Sequence, residues 1–270
     1  MKPEDLIRAR YGALPFTPPE AIPPALAALL DRRVTRRYSA EAVSEALLDT
    51  VLAAAQSAPS KSDLQQYSII VTRDPVKIAK VADWIGTMPW IKDAPVLLIF
   101  CGDMRRGQAA CAQHGREHAN NNMDTFLNTA VDAALALGMA IAAADAAGLG
   151  TCPISYVRSH IEKVAPLFAL PKGVYPVAGL SLGWPAARNE VTPRLPPCVV
   201  IHRETYSSAH DAEAIAAYDA LRPRQKPRYP EIHGAAPEGC TWSENAARQL
   251  SVPERAGFRA WLRSRGFELD

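Results

Sequence analysis

The sequence predicts an α+β protein in three layers, with helices on both faces of a mixed central sheet. Residues 95–101 and 175–182 are apolar at nearly every position, as strands that are buried on both faces are. Residues 120–149 form an alanine-rich segment that is too long for an ordinary crossover helix. Because strands and helices alternate irregularly along the chain, we expect a three-layer α-β-α arrangement of the α+β class.

Apolar spacing and the residues at each boundary define the predicted elements. Ser44 and Glu45 open a helix whose leucines and valines repeat at helical spacing until Pro59 ends it. Gly148 and Gly150 end the long helix, as glycine commonly does. The remaining predictions are strands over residues 67–72, 95–101, 175–182 and 198–202, and helices over residues 75–84, 157–168, 211–221 and 253–265.

Proline is concentrated in the first 24 residues, which disfavours a continuous helix there. We predict an N-terminal arm over residues 1–27 that lies across the surface. A single domain is predicted over residues 28–270, and residues 205–270 form its C-terminal extension.

The composition restricts the class of partner. The formal net charge is +2, so the chain as a whole offers no electrostatic case for nucleic acid or for an anionic membrane. Acidic residues near the start argue against a secretory signal, and Asp132 and Asp145 interrupt the longest apolar stretch. Five scattered cysteines form no Cys-x-x-Cys pair and predict no disulfide framework. We therefore predict a cytoplasmic protein that does not enter a membrane.

A cluster of arginines gives the clearest indication of a ligand. Arg32, Arg33, Arg36 and Arg37 lie within six residues, just before Tyr38. Four guanidinium groups so close repel one another unless an anion lies between them, and their forked geometry suits phosphate. A solvated basic turn is the alternative. Neither Gly-x-Gly-x-x-Gly nor Gly-Lys-Ser/Thr occurs, so the sequence predicts neither a dinucleotide fold nor a phosphate loop.

Three further segments are rich in polar and turn-forming residues, namely residues 58–65, residues 148–156, and residues 182–185 followed by 192–196. Taken singly, each is compatible with an ordinary loop. The collinear set consists of the arginines, Ser60, Gly148-Leu149-Gly150, Ile161-Glu162-x-Val164, Gly183-Trp184-Pro185-Ala186, Pro193-Arg194-Leu195-Pro196 and Thr241-Trp242-Ser243. In this order and spacing it resembles the FMN-dependent nitroreductase family. The resemblance is closest to the branch of oxygen-insensitive NAD(P)H nitroreductases and NAD(P)H:flavin oxidoreductases, and it runs from about residue 28 to the C-terminus.

The resemblance implies a nitroreductase-like fold and a homodimer built on the long central helix, with FMN at the subunit interface. It implies that Arg32, Arg33 and Arg194 neutralise the FMN phosphate and that Arg36 approaches the N1/O2 edge of the flavin. The other cofactor contacts that it implies are Val34, Thr35, Ser60, Gln65, Pro153, Ile154, Ser155, Tyr156, Thr192 and Pro193.

The implied activity is a ping-pong reaction in which NADPH or NADH reduces FMN, and a nitroaromatic, a quinone or free flavin is then reduced by two electrons. A cation near N1/O2 favours paired transfer, because hydride arriving at N5 leaves negative charge at that edge. No catalytic side chain is predicted. Two alternatives are a flavin-binding protein with little turnover and a family member with altered chemistry, such as reductive dehalogenation.

This chain departs from the pattern of that branch at several positions. Thr192 stands where the branch carries lysine, Val34 where it carries serine, and Pro153-Ile154-Ser155-Tyr156 where it carries Tyr-Ile-Gly-Gly. Met88 stands near the position of a glutamine that contacts the flavin. These departures bear on the substrate class more than on the identity of the cofactor.

Two further clusters leave alternatives open. The basic loop over residues 222–228 is either a solvated linker or a clamp for the 2′-phosphate of NADPH, formed by Arg224 and Arg228. Cys111, His114 and His118 would share one face if their segment were helical, and zinc is one interpretation of that spacing. Since no fourth ligand is evident, we predict no metal and interpret this segment as a cover of the site.

Overall fold

The computed structural model describes residues 2–270, so Met1 lies outside the described residues. Contacts divide the described chain into two units. The smaller unit comprises the residues up to Arg32 together with Glu190–Glu254, and the larger comprises Arg33–Asn189 and Arg255–Asp270. The predicted arm over residues 1–27 and the predicted single domain beyond it stay predictions.

The larger unit is built on a sheet that has four strands within the described residues. They are β1 (Tyr67–Thr72), β2 (Val96–Asp103), β3 (Gly150–Ile154) and β4 (Val174–Gly183). Their order across the sheet is β1-β2-β4-β3, and neighbouring strands are antiparallel. The central strands β2 and β4 are buried along nearly their whole length, as their continuous apolar sequence predicts.

Helices account for most of the remaining regular structure. In chain order they are α1 (Pro3–Tyr11), α2 (Pro24–Leu30), α3 (Glu45–Gln56), α4 (Pro75–Ile85), α5 (Arg105–Gln113), α6 (Met123–Ala146), α7 (Ile161–Leu167), α8 (Pro197–Val200), α9 (Asp211–Leu221), α10 (Pro230–His233), α11 (Trp242–Leu250) and α12 (Phe258–Ser264). Short 3-10 turns cover Lys61–Asp63, Pro89–Asp93 and Ser155–His160.

Helices cover both faces of the sheet, so the predicted three layers are confirmed. On one face, α3 and α6 bury Leu48 and Ala136 against Leu98 of β2. On the other face, α4 and α7 bury Ile78 and Val164 with the strand residues that point to that side. Burial of these side chains is the main stabilising contribution that holds the helices to the sheet.

Helix α6 has one alanine face and one face of large apolar side chains. Ala133, Ala136, Ala140 and Ala144 are fully buried, and their small side chains let the helix lie close to the sheet. The opposite face exposes large side chains at a spacing of four residues, namely Met123, Leu127, Val131, Leu135 and Met139. Among residues 2–270, α6 is the one helix whose length and composition would allow it to span a membrane, with a mean hydropathy of 1.6.

In the smaller unit, ring packing and polar contacts hold the elements of residues 190–254 together. The hydroxyl of Tyr218 on α9 donates to the carbonyl of Pro193 at 3.0 Å, and the Tyr218 ring lies 5.6 Å from that of Trp242. The carboxylate of Asp219 accepts the backbone N–H of Ser243 at 3.0 Å and thereby holds the start of α11. These contacts fix α9 against α11 and against the segment before α8.

Several predicted elements have different bounds or a different type. The strand predicted over residues 198–202 is wrong, because Pro196 and Pro197 set backbone angles that open the short helix α8. Strand β3 lies where we predicted a loop, since Pro153 and two glycines obscure it. The sheet is antiparallel rather than mixed, apart from an isolated parallel bridge between Val34 and Thr151. The helices predicted over residues 157–168 and 253–265 shorten to α7 and α12.

The N-terminal prolines begin helices more than they prevent them. Pro3 occupies the first turn of α1 and Pro24 that of α2, positions where the missing N–H costs little. Helix α1 buries Leu6, Ile7 and Arg10. This part of the chain therefore contributes to the core of the smaller unit.

Candidate functional site

Arg10 is the centre of a polar network in the smaller unit. Its guanidinium donates to three carbonyl oxygens, those of Leu30 at 2.6 Å, Arg32 at 2.9 Å and Thr192 at 3.0 Å. The carbonyl of Arg10 in turn accepts the backbone N–H of Arg194 at 2.8 Å. These four bonds bring together two chain segments that the sequence predicted to meet at a phosphate.

The side chains of Arg32 and Arg194, which lie in this network, can bind an anion. Within residues 2–270, no hydrogen-bond partner lies at Nη1 of Arg32, although that atom is buried. Arg194 is exposed, and its Nη1 lies 3.4 Å from the carbonyls of Thr192 and Pro193. A buried guanidinium nitrogen without an acceptor is costly, and a phosphate oxygen is a well-matched partner for it. The residues present therefore fit a phosphate group.

In the larger unit, the segment from Val34 to Tyr38 follows the edge strand β3. The backbone N–H of Thr35 donates to the carbonyl of Thr151 at 2.9 Å, and the side-chain amide of Asn189 donates to the carbonyl of Val34 at 2.6 Å. A Cβ atom at Gly150 would collide with the Thr35 side chain, so only glycine permits this approach. Val34 and Thr35 are thus held by Asn189 and by the start of β3, next to the Gly148–Gly150 segment that the sequence singled out.

Tyr38 anchors the end of this segment. Its hydroxyl lies 2.7 Å from Oγ of Ser181 on β4 and donates to the carbonyl of Thr35 at 3.1 Å. Burial raises the pKa of Tyr38, so the phenol stays protonated. Arg36 stands between these anchored residues, is itself exposed, and lies 5.9 Å from the ring of Trp90. The backbone is thereby fixed while the Arg36 side chain is presented to solvent.

Ser60 and Gln65 lie in a loop whose backbone adopts an uncommon conformation. Ser62, Asp63 and Gln65 have positive φ angles of 51°, 57° and 50°, which cost free energy for residues with a side chain. Oγ of Ser60 accepts the backbone N–H of Gln65 at 3.3 Å, closing the loop on itself. The structure therefore places two predicted cofactor contacts, Ser60 and Gln65, in one compact turn.

Asp132, on α6, binds the backbone of this loop through its carboxylate. Its two carboxylate oxygens accept the backbone N–H groups of Lys61 and Gln66, each at 3.0 Å, and the residue is completely buried. The sequence analysis interpreted Asp132 only as an interruption of an apolar stretch. The signal that could have identified it is a carboxylate in the middle of an alanine-rich helix, since a buried charge requires a partner.

Arg106 binds the end of the same loop and the start of β1 through its guanidinium. Its Nη2 donates to the carbonyls of Gln65, at 2.7 Å, and Tyr67, and its Nη1 donates to Oγ of Ser68 at 3.2 Å. Asp103 lies 3.5 Å from the same guanidinium. A cleft of about 270 Å³ opens beside it, lined by Gln56, Gln65, Tyr67, Ser68, Ile69 and Arg106. Sequence reasoning had not identified Arg106.

The segment from Pro153 to Tyr156 forms the end of β3 and the turn after it. The side chain of Ile154 is fully buried in the core between the sheet and helices α4 and α7. Pro153 and Ser155 are exposed, and Tyr156 is half-buried. Ile154 can therefore face a ligand only through its backbone, whereas Pro153 and Ser155 can do so through their side chains.

The basic loop after α9, residues 222–228, is held by backbone contacts with Cys240 and Asn245 of the same unit. Gln225 and Cys240 exchange backbone hydrogen bonds at 2.8 and 2.9 Å. The side chain of Asn245 accepts the N–H of Arg228 at 2.7 Å and donates to the carbonyl of Lys226 at 3.1 Å. The side chains of Arg224 and Arg228 are exposed. The loop is thus a fixed turn with exposed cations.

Cys111, His114 and His118 do not lie on one helix, because α5 ends at Gln113. His114 and His118 lie beyond that end and do not share a helical face with Cys111. His118 lines a cavity of about 390 Å³ together with Cys111 and Glu117. Across residues 2–270, no group of three His, Cys, Asp or Glu side chains is close enough to hold a metal ion.

Met88, which stands near the position of a flavin-contacting glutamine in the family pattern, packs against the core beside α4.

The fold and these loops define a class of protein: an α+β protein whose loops carry arginine, hydroxyl and amide groups. The model of the nitroreductase family matches residues 29–184, and the model of the nitroreductase family C-terminal domain matches residues 192–270. The chain therefore belongs to the nitroreductase family. The resemblance that the sequence motifs predicted is confirmed, and so is the nitroreductase-like fold.

Similar proteins include enzymes from several bacteria. FMN reductase (NAD(P)H) of Bacillus subtilis is 37% identical over 245 residues, which is 90% of this chain and 97% of the relative. Oxygen-insensitive NADPH nitroreductase of Salmonella typhimurium is 32% identical over 246 residues, which is 90% of this chain and 98% of the relative. Among solved structures, the hypothetical oxidoreductase YcnD of Bacillus subtilis superposes with a TM-score of 0.84 at 35% identity and covers 92% of this chain and 100% of its own.

Proposed function

We propose that this protein is an FMN-dependent NAD(P)H oxidoreductase that reduces small-molecule acceptors such as nitroaromatics, quinones or free flavin. The observation that carries the proposal is the buried, unpartnered Nη1 of Arg32, in a backbone network that also holds Thr192 and Arg194. The names of the relatives support it, since they are FMN reductases and an NADPH nitroreductase.

Arg32, Arg33 and Arg194 hold the phosphate of FMN in this proposal. Two charge-assisted donors on one phosphate give both affinity and orientation, because each guanidinium offers a planar pair of N–H groups. Thr192 and Pro193 contribute backbone, since threonine replaces the lysine of the family pattern at position 192. Arg32 and Arg33 together replace the charge that this lysine would supply.

The remaining site residues position the flavin ring. Bound FMN supplies the N5 atom that accepts and donates hydride. Arg36 stabilises negative charge at the N1/O2 edge, and the anchored backbone of Val34 and Thr35 fixes the position from which Arg36 extends. Ser60 and Gln65 bond the rim of the ring, and Pro153, Ile154, Ser155 and Tyr156 line it.

A homodimer formed through α6 is part of the same proposal. Five large apolar side chains, from Met123 to Met139, are each between 38% and 55% exposed and follow one another at four-residue spacing. Such a stripe is costly to leave in water, and a two-fold contact between copies of α6 covers it on both at once. We further propose that the dimer is a soluble cytoplasmic protein and that its apolar helix contacts protein rather than lipid.

NADPH is the proposed electron donor. The exposed guanidinium groups of Arg224 and Arg228 suit the 2′-phosphate that distinguishes NADPH from NADH. Because Asn245 and the pairing with Cys240 fix the backbone of this loop, little conformational entropy is lost when the phosphate binds.

Identification of the cofactor tests the cofactor part of the proposal. The purified protein is denatured, and the released chromophore is separated and compared with FMN, FAD and riboflavin. We expect FMN. Protein that carries no flavin and takes up none on addition of FMN would contradict the proposal.

A panel of nitroaromatic, quinone and free-flavin acceptors, assayed at steady state with NADPH, then identifies the acceptor class. Tight FMN binding without turnover of any acceptor would favour a flavin-binding protein instead. Turnover confined to halogenated aromatic compounds would favour reductive dehalogenation.

A further inference from the structure

The N-terminal helix α1 lies outside both parts of the chain that match the family models, which begin at residue 29. It is nevertheless well docked in the smaller unit. Leu6 and Ile7 are buried, and Gly12 ends the helix in a left-handed conformation, with its N–H bonded to the carbonyl of Arg8 at 2.7 Å. A side chain at Gly12 would collide with Leu221 of α9. Helix α1 is therefore a packed element of this unit.

Arg10 is the residue through which α1 reaches the proposed phosphate site. It is only 8% exposed, and its Nη1 and Nη2 donate to the carbonyls of Leu30, Arg32 and Thr192. Those donors point at backbone oxygens, so Arg10 acts on the site through the segments that it holds. One segment carries Arg32, and the other carries Arg194, whose N–H bonds back to the carbonyl of Arg10.

We propose that Arg10 is a positioning residue for the phosphate of the cofactor, and that α1 thereby belongs to the cofactor site of this chain. The inference rests on the proposed function, because it requires Arg32 and Arg194 to bind the phosphate. Without the Arg10 guanidinium, the two segments lose the side-chain hydrogen bonds that they share, and binding of FMN must then supply the free energy that orders both phosphate-binding guanidinium groups.

The forked geometry explains why arginine is required here. The two terminal nitrogens reach three carbonyls that lie on two segments far apart in sequence, one with Arg32 and the other with Thr192. Lysine carries the same charge on a single nitrogen and cannot span them. Arg10→Lys therefore preserves charge and most of the buried stem while it removes the guanidinium bridge between the segments.

Comparison of FMN with riboflavin separates positioning from a general loss of structure, because riboflavin lacks the phosphate. Both ligands are titrated into the full-length flavin-free protein, and flavin fluorescence reports binding. We expect Arg10→Lys to weaken FMN binding by about tenfold or more, which corresponds to the loss of one charge-assisted hydrogen bond that orders Arg32 or Arg194, and to leave riboflavin binding unchanged. Arg8→Lys, an exposed neighbour on α1, is the matched control and should change neither.

The outcomes distinguish this inference from the proposed function. If the wild type binds FMN and riboflavin equally, the phosphate site itself is absent and both fail. If the wild type prefers FMN and Arg194→Ala abolishes the preference while Arg10→Lys retains it, the inference about Arg10 alone is overturned. Equal weakening of both ligands in Arg10→Lys would assign Arg10 a merely structural role. Should Arg10→Lys fold poorly, Arg10→Gln, which keeps donors on a shorter side chain, undergoes the same comparison.

Discussion

The carboxylate of Asp132 accepts the backbone N–H of Gln66 at 3.0 Å, across 66 residues of sequence and from the middle of the longest helix. Its second oxygen accepts the N–H of Lys61 at the same distance. One buried side chain thus connects α6, whose exposed face we propose as the dimer contact, to the loop that carries Ser60 and Gln65. Three residues of this loop have positive φ angles, and Asp132 offsets part of that strain.

Asp132→Asn should destabilise the fold by roughly 1 to 3 kcal/mol, because one backbone N–H would then face an amide NH₂ group instead of an acceptor. The free energy of unfolding in urea measures this loss. Asp49→Asn, an exposed change on α3, is the control and should stay within about 0.5 kcal/mol of the wild type. Equal stability of the Asp132 variant would mean that the loop holds its conformation unaided.

Met139→Lys should disrupt the proposed dimer. Met139 is 38% exposed at the C-terminal end of the apolar stripe, and two lysines brought together at a two-fold contact would be both desolvated and mutually repulsive. Sedimentation velocity measures the change, and FMN content is determined on the same sample. Met139→Leu keeps the apolar character and should sediment like the wild type. A wild type that is monomeric with full FMN occupancy would refute the dimer.

Replacing Arg224 and Arg228 together by Ala should raise the KM for NADPH and leave the kinetics with NADH nearly unchanged. The reason is that only NADPH carries the 2′-phosphate that these exposed cations would bind. In the wild type, the preference for NADPH should weaken as salt is added, since exposed charges are screened. An equal rise in KM for NADPH and NADH would favour the alternative, in which this loop is a solvated linker.

The cysteines should react with iodoacetamide in the order of their exposure and ionisation. Burial raises the pKa of the Cys101 thiol to about 12, and the nearby Asp103 charge adds to the effect. Cys198 is exposed. At mildly alkaline pH, mass spectrometry of the folded protein should find Cys198 alkylated and Cys101 intact.

The same pKa shift has a consequence for stability. The folded state keeps the Cys101 proton, so this contribution is complete below the ordinary thiol pKa of about 8.5 and is lost progressively as the pH rises toward 12. Cys101→Ala should therefore show a weaker loss of stability with pH over that window than the wild type does. A steeper loss in the variant would contradict the assignment.

Local patterns in the sequence predicted much of this architecture. Strand β1 and helix α9 have the predicted bounds, and Ser44 caps α3 by accepting the N–H of Leu47. The residues around 198–202 misled the prediction because valine and isoleucine favour strands, whereas the two preceding prolines determine the backbone.

The contacts that shape the site were less accessible from sequence. Arg10 and Thr192 are 182 positions apart, and Asp132 and Gln66 are 66 apart. No local periodicity encodes such contacts, because each depends on which segments the completed fold brings together. The motif set identified the family and nominated Arg32 and Arg194. It could not identify Arg10, Arg106 or Asp132, which act through the backbone of other residues.

Anaerobic titration of the purified protein with NADPH tests the central claim most directly. The absorbance of the bound flavin is followed as the nucleotide is added in the absence of oxygen and of any acceptor. We expect the yellow colour to bleach rapidly with one equivalent of NADPH per flavin, and to return when a quinone or nitroaromatic acceptor is added. Protein that binds FMN yet stays oxidised in excess NADPH and excess NADH would contradict the assignment as an oxidoreductase.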